Sequence, residues 1–504
     1  MKELKKNLSD LNTYAGADTT NHEGFTAWTP SDAQLLEQLA MTGTLTNSFY
    51  ASAKELTEDA LKLLQRAEPE ALRQAIIRGR NEGFIRSFAL LGLVELSKKN
   101  PKLFRETFNQ VVRTGNDMKD FIDIIHASRG FGRSIKTAIH GWLRDSVNPY
   151  YAMKYRKDIA DAIRVSRFKG EDPLYAFVLS VYPDVKGVTE EKLKEAEGKY
   201  PELRARHAFI DAIESGNMTE AAGILAKNRI DTDCLTAWAD KFDTPIWTQV
   251  ARLSPVMKFL KYLDKFTREG VDVTGMAQEK ITVENLKRAK VFPFRLYTAL
   301  KAVDGKAEGP VVDTLVRTMD DYSRQYDWGI FNQYSWVIAP DISGSMSSNI
   351  GNSSLTFAEL SAMFVGFFMK GLRKVRVIPW DTRAYDYSLN ASNSVMDHMK
   401  AMDRMIGGGT YMEAALEKML RENIKVDFAV FLTDTEEYGR GWLAAWKEYR
   451  WRFPKAQAFI LRADAYQTSP ISEEDAAKYG VWQIFGWNDN VVGFMRYVLE
   501  ACHA

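Results

Sequence analysis

The pattern of apolar residues changes near residue 325, and this change most constrains how the chain can fold. Before it, segments with helical periodicity follow one another, joined by short turns that contain Gly, Pro or Asn. After it, short apolar runs typical of buried parallel strands alternate with helical segments. The sequence therefore predicts a helical domain over residues 1–325 and an α/β domain over residues 326–504.

The first domain is predicted to be an α-solenoid, in which HEAT-like helix pairs stack side by side. It should begin at Pro30-Ser31-Asp32, after a polar amino-terminal stretch. The prediction rests on the density of helical segments, because no clean repeat consensus is visible. Examples of the predicted helices are Ala60–Arg66, Pro69–Arg78, Ile85–Lys98, Lys102–Val112, Met118–Ala127, Ser134–Arg144, Asp158–Arg167, Leu203–Ile213, Met218–Ala226, Pro255–Phe266, Val283–Ala289 and Pro293–Val303.

The second domain is predicted to be a doubly wound, mostly parallel sheet with helices on both faces. Its predicted strands are Ser335–Ala339, Val375–Pro379, Asp427–Leu432, Ala458–Leu461 and Val481–Phe485. Its predicted helices are Leu355–Lys370, Tyr411–Arg421, Leu443–Arg452 and Asn490–Ala501.

Three oxygen-bearing side chains follow the first of these strands. Asp341, Ser343 and Ser345 lie on the loop that leaves the apolar run Trp336–Pro340. Ligands of open α/β sheets bind at the carboxyl ends of the strands, and such oxygens suit a hard cation such as Mg²⁺. The alternative is a Ser-rich turn whose hydroxyl groups cap the next helix.

Two later loops are expected at the same edge of the sheet. Gly407-Gly408-Gly409-Thr410 precedes a helix, and Asp434 follows a strongly apolar strand. The glycines let the backbone approach closely and hold the Thr410 hydroxyl toward the crevice. Asp381 also follows a predicted strand at this edge, which makes it a candidate for the metal site. A surface Asp that begins a turn is the more common role.

This ordered set of residues resembles the metal-ion-dependent adhesion site (MIDAS) of von Willebrand factor A domains. The resemblance implies that Ser343 and Ser345 bind a divalent cation directly, and that Asp341, Thr410 and Asp434 join directly or through water. It also implies an open coordination position for an oxygen of a protein partner. Mg²⁺ is the expected ion, with Mn²⁺ and Ca²⁺ as alternatives. One departure is the proline before the first Asp, where such strands usually end in another residue.

Positive charge is concentrated in one part of the helical domain. The whole chain has a net charge of +1, but residues 113–169 contain 12 Lys and Arg against 6 Asp, with aromatic residues interleaved. Helical spacing places Arg133, Lys136 and His140 on one face of a predicted helix. Such a face is consistent with phosphate contacts to RNA, as well as with an ordinary solvated surface.

Four segments resemble the TROVE module of Ro autoantigen ribonucleoproteins. They are Asn21-His22-Glu23-Gly24-Phe25 with Trp28, Gly132–Trp142, Ile163–Lys169 and Ala289-Lys290-Val291-Phe292-Pro293-Phe294. An A domain with the site described above follows, as in Ro proteins, so the resemblance covers nearly the whole chain.

The Ro resemblance implies that the helical repeats close into a ring, with the A domain joining its ends. It implies binding of small noncoding, Y-like RNAs and of the single-stranded ends of misfolded RNAs. By position, the RNA-contact candidates are Arg133, Lys136, Arg164, Arg167 and Lys169, with Lys119 and Arg129 as weaker candidates. Arg167 and Gly170 depart from residues usual in the family, which leaves the basic character intact.

Other signals favour a non-catalytic, cytoplasmic protein. Two cysteines, Cys234 and Cys502, exclude a disulfide framework and fit a reducing compartment. The sequence shows no secretory signal and no apolar stretch long enough for a bilayer, so we expect no membrane association. We also expect a monomer in the absence of RNA. No zinc-protease or nucleophile-elbow motif is present. The alternatives are a scaffold whose metal site grips a partner's carboxylate and, less favoured, a metal-dependent nuclease.

Overall fold

The computed structural model describes residues 17–21, 26–43, 45, 52–183, 185–289, 291, 293–303, 305–307, 309–350, 354–434, 441–462, 468–485 and 489–503. Within them, helices alone run from Asp32 to Arg324, and a parallel sheet with flanking helices follows. The predicted fold class, a helical array followed by a doubly wound α/β domain, is confirmed. In the described part of the chain, no helix combines the length and apolar character needed to traverse a bilayer.

The array consists of helices that pack mainly on helices one to three places away along the chain. They are α1 (Asp32–Thr42), α2 (Ala53–Arg66), α3 (Pro69–Asn81), α4 (Arg86–Lys99), α5 (Pro101–Val111), α6 (Gly115–Ser128), α7 (Arg133–Ser146), α8 (Pro149–Lys154), α9 (Arg156–Ser166), α10 (Pro173–Leu179), α11 (Glu190–Lys199), α12 (Pro201–Glu214), α13 (Met218–Asn228), α14 (Thr244–Leu253), α15 (Val256–Arg268), α16 (Thr274–Lys280), α17 (Val283–Arg288), α18 (Pro293–Val303) and α19 (Gly309–Arg324).

Local signals explain where these helices begin. Ser31 and Ser52 accept hydrogen bonds from the first turns of α1 and α2, and Pro69 and Pro101 occupy the first turn of theirs. A first-turn proline loses no hydrogen bond, because that N–H has no partner within the helix. The sequence reading missed several short helices, namely α8, α10, α11, α14 and α16, and a two-stranded pair, β1 (Thr19–Thr20) and β2 (Thr26–Ala27).

The array has two separate hydrophobic cores rather than one. The first extends from Leu35 to Leu203 and also takes in Cys234. The second extends from Ala205 to Tyr322. The two cores therefore meet at α12. Cys234 is a buried free thiol, and burial raises its pKa to about 12.

The sheet of the α/β domain has five parallel strands. They are β3 (Trp336–Pro340), β4 (Val375–Val377), β5 (Phe428–Thr433), β6 (Gln457–Arg462) and β7 (Val481–Phe485), in the order β4-β3-β5-β6-β7. The helices are α20 (Phe357–Gly371), α21 (Val395–Asp403), α22 (Glu413–Arg421), α23 (Trp442–Arg452), α24 (Glu473–Lys478) and α25 (Asp489–His503). Two apolar clusters, one on each face, bury the strands and give the doubly wound arrangement.

The two ends of the array both contact the α/β domain. Helix α1 packs against β7, and α19 packs against α20. At the second contact, Lys370 Nζ lies 2.9 Å from Asp320 Oδ2, and the lysine side chain is only 1% exposed. The array and the α/β domain therefore form a closed circuit of contacts, as the Ro resemblance implied.

The segment before α1 also attaches to the α/β domain. Trp28 exchanges two backbone hydrogen bonds with Ser469, at 3.1 and 3.0 Å, and its side chain is buried in one of the sheet's clusters. Ser31 Oγ donates to Glu473 Oε1 at 2.5 Å. In sequence this segment precedes the helical array, but its contacts belong to the other domain.

Candidate functional site

The predicted metal site lies where the strand order of the sheet reverses. Strand β3 pairs with β4 on one side and β5 on the other, and crevices at such reversals bind ligands in doubly wound sheets. Pro340 keeps the expected register, because it pairs with Leu432 and its carbonyl accepts from Trp380 N at 3.1 Å. Asp341 N then donates to Leu432 O at 2.9 Å. The proline does not displace the loop that follows it.

Backbone hydrogen bonds join the Asp341–Ser345 loop to the glycine-rich loop. Gly344 N donates to Gly408 O at 3.1 Å, and Gly407 N donates to Ile342 O at 2.8 Å. Gly408 has a φ of +76°, which favours glycine, and a Cβ there would lie 2.6 Å from Asp381 Oδ2. This close approach brings the loop that carries Thr410 against the Asp341–Ser345 loop.

The side chains at this edge are buried and polar. Asp341, Ser343, Ser345, Thr410 and Asp434 are 1%, 1%, 5%, 4% and 2% exposed. Asp341 Oδ1 accepts from Ser343 N at 2.8 Å. Asp341 Oδ2 accepts from the Thr433 hydroxyl at 2.6 Å. The Ser343 and Ser345 hydroxyl oxygens lie 3.2 Å apart. Thr433 is a member of this network that the sequence reading did not single out, although its place directly before Asp434 could have indicated it.

The alternative interpretation, in which the serines cap a helix, does not describe this loop. Ser343 precedes the short 3₁₀ helix Gly344–Ser347, but its hydroxyl makes no capping hydrogen bond. The next α-helix, α20, is capped by Thr356 and Glu359. The Ser343 and Ser345 hydroxyls therefore do not serve as helix caps.

The chemistry of the donors fits a hard divalent cation. The group consists of carboxylate and hydroxyl oxygens, the ligands that Mg²⁺ and Ca²⁺ prefer. Among the described residues, no cluster of three or more His, Cys, Asp or Glu could hold a metal. A cation at this edge would therefore need the Ser and Thr hydroxyl oxygens as ligands. Burial raises the pKa of Asp341 to about 6, with a contribution from the charge of Asp381.

Asp381 is not the surface residue that its sequence context suggested. It is 5% exposed, accepts from Tyr385 OH at 2.8 Å and from Arg383 N at 3.0 Å, and lies against Gly408. The surface interpretation is wrong, because the chain folds the turn after β4 under the glycine-rich loop. Both oxygens of its carboxylate accept hydrogen bonds, and it borders the group that we call the metal edge, which consists of Asp341, Ser343, Ser345, Thr410 and Asp434.

The basic candidates lie on two neighbouring helices. In α7, Ile135, Ile139 and Trp142 are fully buried, while Arg133 is exposed and Lys136 half-buried. At the end of α9, Arg164, Arg167 and Lys169 are exposed. All five side chains are therefore at least partly accessible to solvent.

A specific contact holds these two segments together. His140 Nε2 lies 3.0 Å from Ser166 O, and its ring packs edge-on against Phe168 at 5.3 Å. His140 is one turn after Lys136 on α7, and Ser166 directly precedes Arg167. The Arg167 backbone has a φ of +59°, which turns the chain at the end of α9. The two groups of basic residues therefore form one surface, which we call the α7–α9 basic surface.

Most of its charges are not neutralised within the chain. In the described residues, Arg133, Lys136, Arg167 and Lys169 make no side-chain hydrogen bond or ion pair, and Arg164 stacks on Tyr182 at 4.4 Å. The weaker candidates differ, because Lys119 pairs with Asp123 and Arg129 donates to Ser97.

The interleaved aromatic residues mostly serve the core. Trp142 and Tyr155 are buried, and Phe168 is half-buried between His140 and Tyr175. The buried rings of Trp142 and Tyr155 are therefore not accessible for stacking on RNA bases. The segment His22–Phe25, Lys290, Phe292 and the side chain of Cys502 lie outside the described residues.

The comparisons with known proteins agree with this architecture. Residues 335–497 match the family model described as the Ro60 vWA domain. The crystal structure of the Deinococcus radiodurans Ro (RSR) protein aligns with a TM-score of 0.65 and 17% identity, over 91% of this chain and 97% of that one. At this identity the match establishes a shared fold. No curated protein sequence matches. Together the two matches confirm the resemblance to the Ro family inferred from the sequence.

Proposed function

From an α/β domain of the Ro60 vWA family and a chain with the Ro fold, we propose that this is a non-catalytic RNA-binding protein of Ro type. Its RNA ligands are small noncoding, Y-like RNAs and the single-stranded ends of misfolded RNAs. It acts as a ribonucleoprotein component in RNA quality control, in the cytoplasm, and is a monomer without RNA.

The observation that supports RNA binding most directly is the α7–α9 basic surface. Lysines and arginines that serve only solubility or helix stability usually have acidic residues beside them. Here Arg133, Lys136, Arg167 and Lys169 lack such partners among the described residues and lie on accessible faces. They are held in place by α7, α9 and the contact between His140 and Ser166. A fixed array of unpaired cations suits a chain of phosphates.

The metal edge is proposed as a second ligand site, separate from the RNA surface. Ser343 and Ser345 would hold a divalent cation, most suitably Mg²⁺, with Asp341, Thr410 and Asp434 beside it. When bound, the cation would supply a Lewis-acidic position for a carboxylate oxygen of a protein partner. The chain's own residues orient this group, since Thr433 and Ser343 fix both oxygens of Asp341.

The RNA proposal is tested by a charge-removal variant. Replacing Arg133, Lys136, Arg164 and Arg167 with Ala should weaken binding of a small structured RNA by about 100-fold or more. The slope of log affinity against log salt should fall by roughly 3 to 4, because each phosphate contact contributes about one unit. Fluorescence anisotropy over a salt series measures both quantities.

A matched variant controls for the loss of four charges. Lys227, Lys241, Arg268 and Arg288 are exposed cations elsewhere in the array. Their replacement with Ala should leave RNA affinity within about threefold of the wild type, since only distant screening is lost. Equal losses in the two variants would mean that binding depends on overall charge. An unchanged affinity in the first variant would refute the proposed surface.

The second candidate function is a metal-dependent protein scaffold, which the buried hydroxyl cluster of the metal edge supports. It predicts protein that purifies free of RNA and captures an acidic partner only when Mg²⁺ is present. The ratio of absorbance at the nucleic-acid and protein maxima, measured after gentle purification, separates it from the first.

A further inference from the structure

Two arginines in the helical array, one buried and one partly buried, have no carboxylate partner among the described residues. Arg206, in α12, is 9% exposed, and Arg156, at the start of α9, is partly buried. Neither guanidinium makes an ion pair with a carboxylate in the part of the chain that the structure describes. Burying an unpaired charge costs several kcal/mol, so folded proteins normally pair such groups.

The two guanidinium groups lie around one aromatic ring. The Arg156 guanidinium carbon is 4.4 Å from the centre of the Phe177 ring, and that of Arg206 is 5.9 Å from it. Arg206 is also 4.8 Å from the Trp238 ring. Aromatic faces hold a cation without neutralising it. Burial and then the charge of Arg206 lower the pKa of Arg156 to about 10, as expected for two like charges near each other.

Neutral backbone and hydroxyl groups position both side chains. Arg156 Nε donates to Phe177 O at 3.0 Å, and an Arg156 Nη donates to the Ser180 hydroxyl. Arg206 Nε donates to Cys234 O at 3.3 Å. These contacts fix the guanidinium groups and leave further N–H donors of Arg206 without a partner in the described residues.

Neighbouring charges show that the lack of a carboxylate is local. Lys154 lies 2.5 Å from Asp233, and Lys258 pairs with both Asp231 and Asp233. These two lysines and two aspartates neutralise one another a few residues from Cys234. Acidic residues are thus available at this junction of the two cores, but they do not serve the arginines.

We propose that Arg156 and Arg206 form a phosphate-binding site at the junction of the two helical cores. The ligand is a phosphate group, whose oxygens accept hydrogen bonds from guanidinium donors and supply the missing negative charge. It comes either from the backbone of a bound RNA or from a free phosphate compound. Arg156 begins α9, whereas Arg164, Arg167 and Lys169 lie at its other end, and phosphate binding here does not require the α7–α9 basic surface to bind RNA.

The primary test uses inorganic phosphate and the full-length protein. Phosphate should raise the thermal midpoint of the wild type by roughly 2–4 °C relative to chloride at equal ionic strength and pH. Arg156→Gln and Arg206→Gln should each abolish this difference. Because Arg206 is buried and its substitution could disturb packing, the partly exposed Arg156 carries the decisive variant, with circular dichroism as the check on fold.

Arg496→Gln is the matched control. Arg496 also lies over a phenylalanine, 5.6 Å from the Phe331 ring, but it has a carboxylate partner, Asp327, at 2.8 Å. This variant should keep the full phosphate response. The proposal is overturned if phosphate has no specific effect on the wild type, or if Arg156→Gln responds to phosphate as the wild type does.

A second measurement identifies the source of the phosphate. The affinity of Arg156→Gln for a short single-stranded RNA should fall by about fivefold or more if the group belongs to an RNA backbone. Unchanged RNA affinity together with a lost phosphate response would assign the site to a free phosphate compound. Failure of RNA binding as such would instead show first in the four-residue variant of the α7–α9 basic surface.

Discussion

The α7–α9 basic surface and the metal edge of the sheet use polar residues in opposite ways. At the metal edge, Asp341, Ser343 and Asp434 are almost fully buried, and hydrogen bonds fix both oxygens of Asp341. On the basic surface, Arg133 and Lys169 are exposed and have no partner among the described residues.

The difference follows from the ligands that each region would bind. A small cation needs ligands held in a fixed geometry, which burial and hydrogen bonds provide. A phosphate backbone is long and bound mainly through charge, so accessible cations on rigid helices suffice. Substitutions at the metal edge should therefore affect folding and metal binding, whereas those on the basic surface should affect RNA affinity alone.

The largest expected effect on stability lies where the array closes onto the α/β domain. Lys370→Met would leave Asp320 buried without its main partner, which should destabilise the protein by about 3–5 kcal/mol. Lys301→Met breaks a more exposed pair with Glu359 across the same boundary and should cost about 1 kcal/mol or less. Chemical denaturation measures both, and equal losses would show that burial does not distinguish the pairs.

Gly408→Ala should have the next largest effect and tests the rigidity of the metal edge. A side chain there needs a left-handed backbone and places Cβ against Asp381, so we expect a loss of about 1–3 kcal/mol. Gly407→Ala is the control, because its Cβ would meet nothing within 4 Å and its φ is not positive. The thermal midpoints of the two variants should differ by several degrees. Similar midpoints would mean that the glycine-rich loop adapts easily.

A smaller effect separates metal binding from RNA binding. Mg²⁺ should raise the thermal midpoint of the wild type by roughly 2–4 °C and have no such effect on Ser343→Ala. The RNA affinity of the same variant should stay within about twofold of that of the wild type, because Ser343 is not one of the proposed phosphate-contacting residues. A tenfold loss of RNA affinity would break the division between the two regions.

The smallest expected effect is a pH dependence of the free energy of unfolding, caused by a buried histidine in α21. His398 is fully buried, within 2.8 Å of Tyr387 OH, and burial lowers its pKa. The unfolded chain then binds more protons, so the free energy of unfolding should decrease as the pH falls below about 6.5. His398→Asn should reduce this dependence, as measured by chemical denaturation over a pH series. A pH profile unchanged by the substitution would exclude His398 as the cause.

Much of the fold was predictable from local sequence. The five strands were located within a few residues because β3, β5 and β6 are buried on both faces and read as continuous apolar runs. Short helices such as Pro149–Lys154 and Pro173–Leu179 were missed because one or two turns give too few residues to show a period.

The sequence by itself determined the change from helices to an α/β domain, the metal-edge residues and the basic segment, because each is a local pattern of residue types. Only the tertiary structure decided which polar groups are buried. It placed Asp381 beneath Gly408, attached Trp28 to the sheet domain, and left the partly buried Arg156 and the buried Arg206 without a carboxylate partner among the described residues. Those outcomes depend on contacts between residues far apart in the chain, and no local pattern encodes such contacts.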